Sequence, residues 1–319
     1  MNQPEVTILC TTYNHAPYIE KTIESFLDQQ TTFEFEIIVH DDASTDGTQE
    51  ILKQYEKKHH GKIRVIYEEI NQFNKLPRGG YFQGLMEPLA KGRYIALCEG
   101  DDYWIDEKKI QKQYDFLESQ AKYVCCGGAS LVVSSDNPTD AFEKITCGTE
   151  PCDISSEDII SGKMFQTATV FYRKGLGEDY AANWNIPKIV GDFPWLLYLS
   201  LRGKVYYFSD FLAAYRVGGN GSYSSETNRG KLFQRNLELI ELCDALDALT
   251  EYKYRNLFLK RKIDYAYKAG IFKGLSFFNK TKSGRALRFR MPVSKLGMIL
   301  LHRAYYYIRT IINKVLKQN

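Results

Sequence analysis

The first 100 residues alternate between short apolar runs and segments of helical periodicity, and this alternation strongly limits the folds open to the chain. Four runs have the length and apolarity of buried strands: residues 6–10, 35–40, 62–67 and 93–98. Three segments between them carry apolar side chains at helical spacing: residues 15–30, 48–59 and 82–91. Strands that alternate with helices form right-handed βαβ units, so we predict an α/β fold with a mostly parallel sheet.

The pattern changes twice further along the chain. Up to residue 225 it is less regular: we predict a strand over 167–173, a helix over 192–202 and one or two strands over 204–217. From residue 228 the periodicity is helical to the end. We therefore predict a single mixed sheet flanked by helices in residues 1–225, followed by a helical appendage in residues 226–319.

The last part of the chain is strongly basic, although the formal net charge of the protein is only +3. After Asp264 there is no Asp or Glu, whereas residues 265–319 carry twelve Lys or Arg. Residues 295–316 predict an amphipathic helix with basic side chains along one face, which is typical of helices at an anionic membrane surface. We predict that residues 265–319 bind such a surface, with packing on the rest of the chain as the alternative. No nucleic-acid motif accompanies the charge, so we predict no nucleic-acid partner.

The cysteines and the N-terminus indicate a cytoplasmic protein. The seven cysteines are scattered and form no C-x-x-C pair, so we interpret them as reduced thiols. The N-terminus lacks the basic start of a secretory signal, and no window reaches the ~18 apolar residues of a membrane span. With the basic tail, this predicts a location in the cytoplasm, at the inner face of the plasma membrane.

Two acidic clusters each follow a predicted strand. Asp41 and Asp42 follow the second strand, and Glu99, Asp101 and Asp102 follow the fourth. Ligands of open α/β sheets bind beyond the carboxyl ends of the strands, so both clusters point to one crevice. Carboxylates of this kind suit Mg²⁺ or Mn²⁺. The alternatives are a turn with a helix cap for residues 44–48 and a solvated loop for residues 99–102.

These segments resemble family 2 glycosyltransferases of the GT-A fold. The resemblance rests on VTILCTTYNHAPYIEKTIESFLDQQ, FEIIVHDDASTDGTQEIL and KGRYIALCEGDDYWID, in that order, and extends through GDFPWLLYLSLRG and FLAAYR. The CEGDDYW sequence is similar to that of bacterial enzymes that build capsular, O-antigen or exopolysaccharide chains. The resemblance implies a catalytic domain in residues 1–225, with a nucleotide-binding half (1–120) and an acceptor-binding half (121–225).

The resemblance also implies roles for residues that bind the nucleotide and the metal. Thr11 and Tyr13 would border the base. Asp42 would hydrogen-bond the base edge, with Asp41 supporting it or the ribose. Glu99, Asp101 and Asp102 stand at the DxD motif, so Asp101 and Asp102 would contact Mn²⁺ or Mg²⁺ and the ribose–diphosphate. Which of the three carboxylates ligates the metal directly stays open.

Asp192 stands at the family's catalytic position, which implies a general base for an inverting, metal-dependent transfer. A helix N-cap is the other interpretation of this residue. The donor would be a nucleotide sugar, by default a UDP-sugar, and the acceptor a saccharide or a lipid-linked saccharide. One departure stands out: Gly218 occupies the position where many relatives carry a His that assists the metal or diphosphate.

Two other functions are compatible with such a fold. A sugar-nucleotide pyrophosphorylase would need a Gly-rich basic loop after the first strand, and TTYNHAPY contains neither Gly nor Lys or Arg. A non-catalytic nucleotide-sugar-binding protein is the third hypothesis. The retained acidic residues and Asp192 argue against it.

Overall fold

The computed structural model describes residues 3–72, 80–135, 140–184, 186, 189–218, 229–273, 290–296 and 299. The chain divides into two compact units, Met1–Ser225 and Glu226–Asn319. Most of the amphipathic helix predicted over residues 295–316 lies outside the described residues.

The first half of unit one is a parallel sheet with a helix after each of its first two strands. Its strands are β1 (Val6–Thr12), β2 (Phe35–Asp41), β3 (Ile63–Tyr67) and β4 (Tyr94–Glu99), and its helices are α1 (Ile19–Leu27) and α2 (Thr48–Lys58). The spatial order is β3-β2-β1-β4, and all three pairings are parallel. β1 and β4 are buried along almost their whole length, which explains their near-continuous apolar sequences. The four predicted strands are confirmed.

The helix predicted over residues 82–91 is wrong in type. The chain forms a π-helical segment over Gly80–Met86 and then a 3₁₀ turn over Glu87–Leu89. Pro88 lacks an N–H and therefore cannot continue an α-helical ladder. The buried Glu87 carboxylate also binds backbone N–H groups of Gly175 and Gly177, so tertiary contacts determine the local geometry.

The second half of unit one extends the sheet with antiparallel pairings and one long parallel pairing, between β6 and β10. Its strands are β5 (Tyr103–Trp104), β6 (Tyr123–Ser134), β7 (Ala141–Ile145), β8 (Cys152–Ile154), β9 (Phe171–Arg173) and β10 (Lys204–Val217). Its helices are α3 (Lys109–Ser119), α4 (Ser156–Ser161), α5 (Gly177–Asn183) and α6 (Asp192–Arg202). The order continues β4-β9-β6-β10-β5, while β7 pairs with β6 and β8 with β10. The described residues thus form one mixed sheet, as predicted.

The strand predicted over residues 167–173 begins later than expected. Thr167–Thr169 form a 3₁₀ turn, and β9 starts only at Phe171. The N–H groups of Thr169 and Val170 bond to the carbonyls of Gln166 and Thr167, so they are not available to a neighbouring strand. The helix predicted over residues 192–202 is confirmed as α6, and the region from 204 forms the single long strand β10.

The described part of the second unit is a helical hairpin. Helices α7 (Arg229–Leu249) and α8 (Arg255–Lys273) are joined by a short turn in which Glu251 and Tyr252 have positive φ. A small apolar core holds this unit together: Ile240, Ala266, Ala269, Met291 and Ile299. Among the described helices, none combines the length and apolarity that crossing a bilayer requires. All seven cysteines of the protein are free thiols.

Candidate functional site

The carboxyl ends of β2, β1 and β4 lie side by side, and this brings the two acidic clusters to one edge of the sheet. In the strand register, Thr12 pairs with Asp41 and Thr11 pairs with Glu99. Beyond the strands, the Asp42 N–H donates to the Thr12 carbonyl at 3.0 Å and the Gly100 N–H to the Thr11 carbonyl at 2.8 Å. The clusters therefore flank the end of β1, one on each side.

Hydrogen bonds hold together the loops that follow β1 (residues 13–16) and β2 (residues 43–48). Four bonds join them: Asn14 N–H to Ser44 Oγ, His15 N–H to Thr48 Oγ1, Ala16 N–H to Asp46 Oδ2, and Thr45 N–H to Asn14 Oδ1. Their lengths lie between 2.8 and 3.0 Å. Residues 44–48 are therefore structural, because three of their side chains bind backbone N–H groups of the loop after β1. They do not form the predicted helix cap, since Gly47 occupies the capping position of α2 and makes no side-chain capping hydrogen bond. Tyr13 projects from this framework with 47% of its surface exposed.

Asp41 is a fully buried residue that organises the loop after β2. Its Oδ2 accepts hydrogen bonds from the Ser44 N–H at 3.0 Å and from Gln49 Nε2 at 2.7 Å. Its Oδ1 is buried without a hydrogen-bond partner. One oxygen of this carboxylate therefore supports the loop.

Asp42 is 5% exposed and turns toward the segment after β3. Its Oδ1 accepts the Gln72 N–H at 2.6 Å, and its Oδ2 accepts the Tyr81 hydroxyl at 2.8 Å. Burial, followed by the hydrogen bond to Asp42, raises the pKa of Tyr81 well above its usual value, so this hydroxyl stays a donor. Each carboxylate oxygen has a second lone pair with which to accept a bond from a ligand.

The loop that carries Glu99, Asp101 and Asp102, here called the acidic loop (residues 99–102), is held from two sides. From α1, Thr22 Oγ1 donates to the Gly100 carbonyl at 3.0 Å and to the Asp102 carbonyl at 2.6 Å. From β10, the Arg216 N–H donates to Asp102 Oδ1 at 2.8 Å, and Arg216 Nη1 donates to the Asp101 carbonyl at 2.5 Å. These bonds fix the conformation of the loop.

Arg216 places a cation in contact with the acidic loop, and it is only 4% exposed. Its guanidinium lies 4.6 Å from the ring centre of Tyr18 and 5.1 Å from that of Tyr103. These cation–π contacts, together with the bond to the Asp101 carbonyl, hold the planar group in one orientation.

The acidic loop concentrates negative charge in a poorly solvated place. Burial raises the pKa of Glu99 to about 8, and the charges of Asp101 and Asp192 add to the increase. Burial, followed by the charges of Asp101 and Glu99, also raises the pKa of Asp102 above its usual value. These carboxylates therefore repel one another, and a bound cation would relieve the repulsion.

The donor chemistry fits a divalent cation that is shared with a diphosphate. Within the described residues, no three His, Cys, Asp or Glu side chains form a group that would hold a metal ion by themselves. Mg²⁺ is commonly bound by only one or two carboxylates together with substrate phosphates, so a complete protein cage is not required. Asp102 is 3% exposed and bonded to β10, whereas Asp101 keeps 26% of its side chain exposed. Asp101 is thus the more accessible of the two carboxylates.

Asp192 is the first residue of α6 and is exposed. The N-cap interpretation is wrong, because Gly191 occupies the capping position and no side chain caps the helix. Asp192 Oδ1 accepts the Phe193 N–H at 2.7 Å. The helix dipole favours a negative charge at this end. The charge of Asp192 contributes to the raised pKa of Glu99, so Asp192 lies within electrostatic range of the acidic loop.

Gly218 directly follows β10 in a left-handed backbone conformation, with φ of 87°. A Cβ there would meet Ser135 Oγ at 3.5 Å, an ordinary contact, so space does not exclude a side chain. The backbone conformation does disfavour a side chain, because L-residues other than glycine are strained at such a φ. The absence of His at this position is therefore built into the local conformation.

Tyr81 and His15 are among the residues of the site that had no role in the sequence analysis. Tyr81 lies in the π-helical segment Gly80–Met86, and its sequence carries no signal of a contact with Asp42. His15 lies within the TTYNHAPY segment, two residues after Tyr13, and this adjacency is the signal that could have identified it. Burial lowers the pKa of His15 below its usual value despite the nearby charges of Asp101 and Asp46, so its imidazole is neutral at pH 7.

The family model and a named relative that match this chain are both described as glycosyltransferases. Residues 7–146 match the family model described as "Glycosyl transferase family 2". The chain is 29% identical over 233 residues to an uncharacterized protein of Mycobacterium tuberculosis (strain ATCC 25618 / H37Rv), covering 72% of this chain and 64% of that one. It is 29% identical over 254 residues to the putative teichuronic acid biosynthesis glycosyltransferase TuaG of Bacillus subtilis (strain 168), covering 78% and 95%. The chain thus spans just under two thirds of the mycobacterial relative's length.

A shorter match reaches higher identity. The chain is 37% identical over 115 residues to UDP-Glc:alpha-D-GlcNAc-diphosphoundecaprenol beta-1,3-glucosyltransferase WfaP of Escherichia coli. This match covers 36% of this chain and 42% of that one.

Solved structures agree on the fold. S. aureus TarS 1–349 in complex with UDP-GlcNAc superposes with a TM-score of 0.58 at 15% identity, covering 95% of this chain and 92% of that one. The mannosyltransferase PcManGT from Pyrobaculum calidifontis, in complex with GDP-Man and Mn²⁺, gives 0.57 at 15% identity, covering 97% and 85%.

The mixed sheet with its acidic edge has the GT-A fold of nucleotide-sugar-dependent transferases. Over residues 7–146, the sequence of the chain matches glycosyltransferase family 2. The resemblance to this family and the fold predicted from the sequence are confirmed.

Proposed function

We propose that the protein transfers a sugar from a nucleoside-diphosphate sugar, by default a UDP-sugar, to a hydroxyl acceptor in bacterial surface polysaccharide synthesis. The observation that carries the proposal is the position of the two acidic clusters on either side of the carboxyl end of β1. Such an edge is where open α/β sheets bind nucleotides. Residues 1–120 would bind the donor and residues 121–225 the acceptor.

The residues divide the work of donor binding. Thr11 and the exposed Tyr13 would border the base, and Asp42, oriented by Gln72 and Tyr81, would accept a hydrogen bond from the base edge. Asp41 would support this arrangement through its hydrogen bonds to Ser44 and Gln49. Asp101 would ligate Mn²⁺ or Mg²⁺ directly, with Glu99 and Asp102 adding negative charge around it.

A divalent cation bound at the acidic loop would neutralise the charge that develops on the departing diphosphate. Asp192 would accept the proton of the acceptor hydroxyl as that oxygen attacks the anomeric carbon. Its exposure at the start of α6 supports this role, because a general base must be accessible to the acceptor. A single displacement of this kind inverts the anomeric configuration, and no covalent intermediate is needed.

The acceptor would be a saccharide or a lipid-linked saccharide. TuaG is named for teichuronic acid biosynthesis, and WfaP is named for transfer to a diphosphoundecaprenol-linked sugar. An acceptor of this type resides in a membrane, so the basic residues 265–319 would bring the protein to an anionic membrane surface in the cytoplasm.

The test is release of nucleoside diphosphate from a panel of UDP- and GDP-sugars, with Mn²⁺ or Mg²⁺ and after chelation. We expect one donor to be turned over in a metal-dependent manner, and Asp101→Asn and Asp192→Asn to reduce turnover at least ~100-fold. Asp115→Asn, on the exposed face of α3, is the matched control. Turnover by Asp101→Asn and Asp192→Asn that equals the turnover of the control Asp115→Asn would contradict the proposal. Release of pyrophosphate from a nucleoside triphosphate and a sugar phosphate would also contradict it.

A further inference from the structure

His15 lies against the acidic loop, in a position that the loop contacts described above hold in place. Its backbone N–H donates to Thr48 Oγ1 at 2.9 Å. Its side chain is 20% exposed, and Nε2 lies 4.0 Å from Asp101 Oδ2. An imidazole and the most accessible carboxylate of the acidic loop therefore face each other at the proposed metal site.

The other face of the ring is packed closely. A Cβ on Gly100 would lie 3.0 Å from His15 Nδ1 and 2.8 Å from the side chain of Thr12. Glycine at position 100 thus lets the acidic loop approach the ring, and the ring has little room to turn away. Nδ1 is buried without a hydrogen-bond partner.

The distance between the two groups is informative. At 4.0 Å, Nε2 and Oδ2 are too far apart for a hydrogen bond. Two metal–ligand bonds of about 2.1 Å each, to a nitrogen and to an oxygen, would span a gap of this size after a small adjustment of either side chain. The pair is therefore spaced to share a cation.

The position that directly follows β10 offers no imidazole to the site in this chain. Gly218 stands there, in a left-handed conformation that disfavours a side chain. His15, on the loop after β1, presents an imidazole to the acidic loop instead.

We propose that His15 Nε2 and Asp101 together ligate the divalent cation of the nucleotide complex, and that this imidazole makes the site prefer Mn²⁺ to Mg²⁺. The inference rests on the proposed function, because the diphosphate would supply further ligands. The preference follows from ligand chemistry: Mg²⁺ takes oxygen ligands in near-ideal octahedral geometry, whereas imidazole nitrogen binds transition-metal ions better.

The test measures binding of Mn²⁺ and Mg²⁺ to the full chain in the presence of UDP, by titration calorimetry. We expect the wild type to favour Mn²⁺, and His15→Ala to lose affinity for Mn²⁺ at least ~10-fold, the size typical of a lost metal-site partner. His15→Gln, which offers an oxygen, should lower the ratio of Mn²⁺ to Mg²⁺ affinity as well. His60→Ala, an exposed histidine after α2, is the matched control and should change neither affinity.

A spectroscopic measurement on the wild type needs no variant and is independent of folding defects. The electron spin-echo envelope of bound Mn²⁺ should show modulation from a coordinated imidazole nitrogen, and ¹⁵N-labelling of histidine should change it. Absence of nitrogen modulation in the Mn²⁺–UDP complex would overturn the inference.

The outcomes separate this inference from the proposed function. If His15→Ala keeps both metal affinities while Asp101→Asn lowers them, His15 is not a ligand and the proposed function stands. If the wild type binds neither UDP nor GDP with either metal, the proposed function itself fails, and the inference fails with it.

Discussion

The carboxylate of Asp102 accepts a hydrogen bond from the backbone N–H of Arg216, at 2.8 Å and across 114 positions of the chain. This bond joins the acidic loop, at the end of β4, to the end of β10. It also turns Asp102 inward and leaves Asp101 as the accessible carboxylate. The two adjacent aspartates, which look equivalent in the sequence, therefore have different structural roles.

Replacing the two aspartates should separate these roles. Asp102→Ala leaves the buried Arg216 N–H without an acceptor, so we expect the free energy of unfolding to fall by about 1–3 kcal/mol. Asp101→Ala removes a more exposed side chain and should change stability little, while weakening the binding of UDP with metal. Urea unfolding and nucleotide titration measure the two effects. Equal losses of stability in both variants would contradict the distinction.

Thr22 should be as important for the acidic loop as its charged residues. Its Oγ1 bonds the carbonyls of Gly100 and Asp102 from within α1. Thr22→Val keeps the shape but removes the hydroxyl, so we expect a loss of about 1–3 kcal/mol of unfolding free energy and weaker metal-dependent UDP binding. Thr31→Val, in the loop after α1, is the control and should leave UDP binding unchanged. Intact UDP affinity in Thr22→Val would show that the loop holds its shape without this bond.

Stability of the metal-free protein should depend on pH through Glu99. The folded-state pKa of Glu99 is raised to about 8, so the folded protein keeps a proton that the unfolded chain releases near its usual pKa. The contribution of Glu99 to the free energy of unfolding is therefore fully present below the pKa of the unfolded chain. This contribution is lost as the pH rises toward 8. We expect chemical unfolding with a chelator to show this decline between about pH 5 and 8. Glu99→Gln should flatten it; an unchanged slope in that variant would assign the effect to another group.

Tyr81 should tune nucleotide affinity through Asp42. Its hydroxyl donates to Asp42 Oδ2 at 2.8 Å, so Tyr81→Phe frees a carboxylate oxygen that the fold had oriented. We expect affinity for UDP to fall by about 5–10-fold, which corresponds to about one hydrogen bond of net free energy. Isothermal titration measures the change. Tyr252→Phe, an exposed tyrosine in the second unit, is the control, and equal affinities in both variants would remove Tyr81 from the site.

The basic C-terminal region should bind anionic vesicles in a salt-dependent manner. Each Lys or Arg near such a surface contributes about 1 kcal/mol, so Lys268→Glu combined with Arg290→Glu should reduce vesicle binding of the full chain markedly. Lys57→Glu with Lys58→Glu, on exposed positions of α2, makes the same charge change in the first unit. Vesicle co-sedimentation compares the two. Equal binding by both double variants would contradict a role for this region.

Part of the fold could be predicted from local sequence patterns. β1, β2 and β4 are apolar because they are buried on both faces, so they could be found without tertiary information. β3 is only partly buried, and its short apolar run was still sufficient to predict it. The helix predicted over residues 82–91 was wrong in type, because Pro88 and the contacts of the buried Glu87 override its helical periodicity. Local patterns fail where distant groups decide which backbone bonds form.

The sequence by itself determined that two acidic clusters would meet at one sheet edge, because each directly follows a strand and parallel strands end on the same side. Only the tertiary structure decided what each acidic side chain does there. Asp41 supports a loop, Asp42 is held by Tyr81, Asp102 is bonded to Arg216, and Asp101 faces His15. The roles of Asp42, Asp101 and Asp102 depend on partners that are distant in the sequence, and hydrogen-bond direction and burial exist only once the chain has folded.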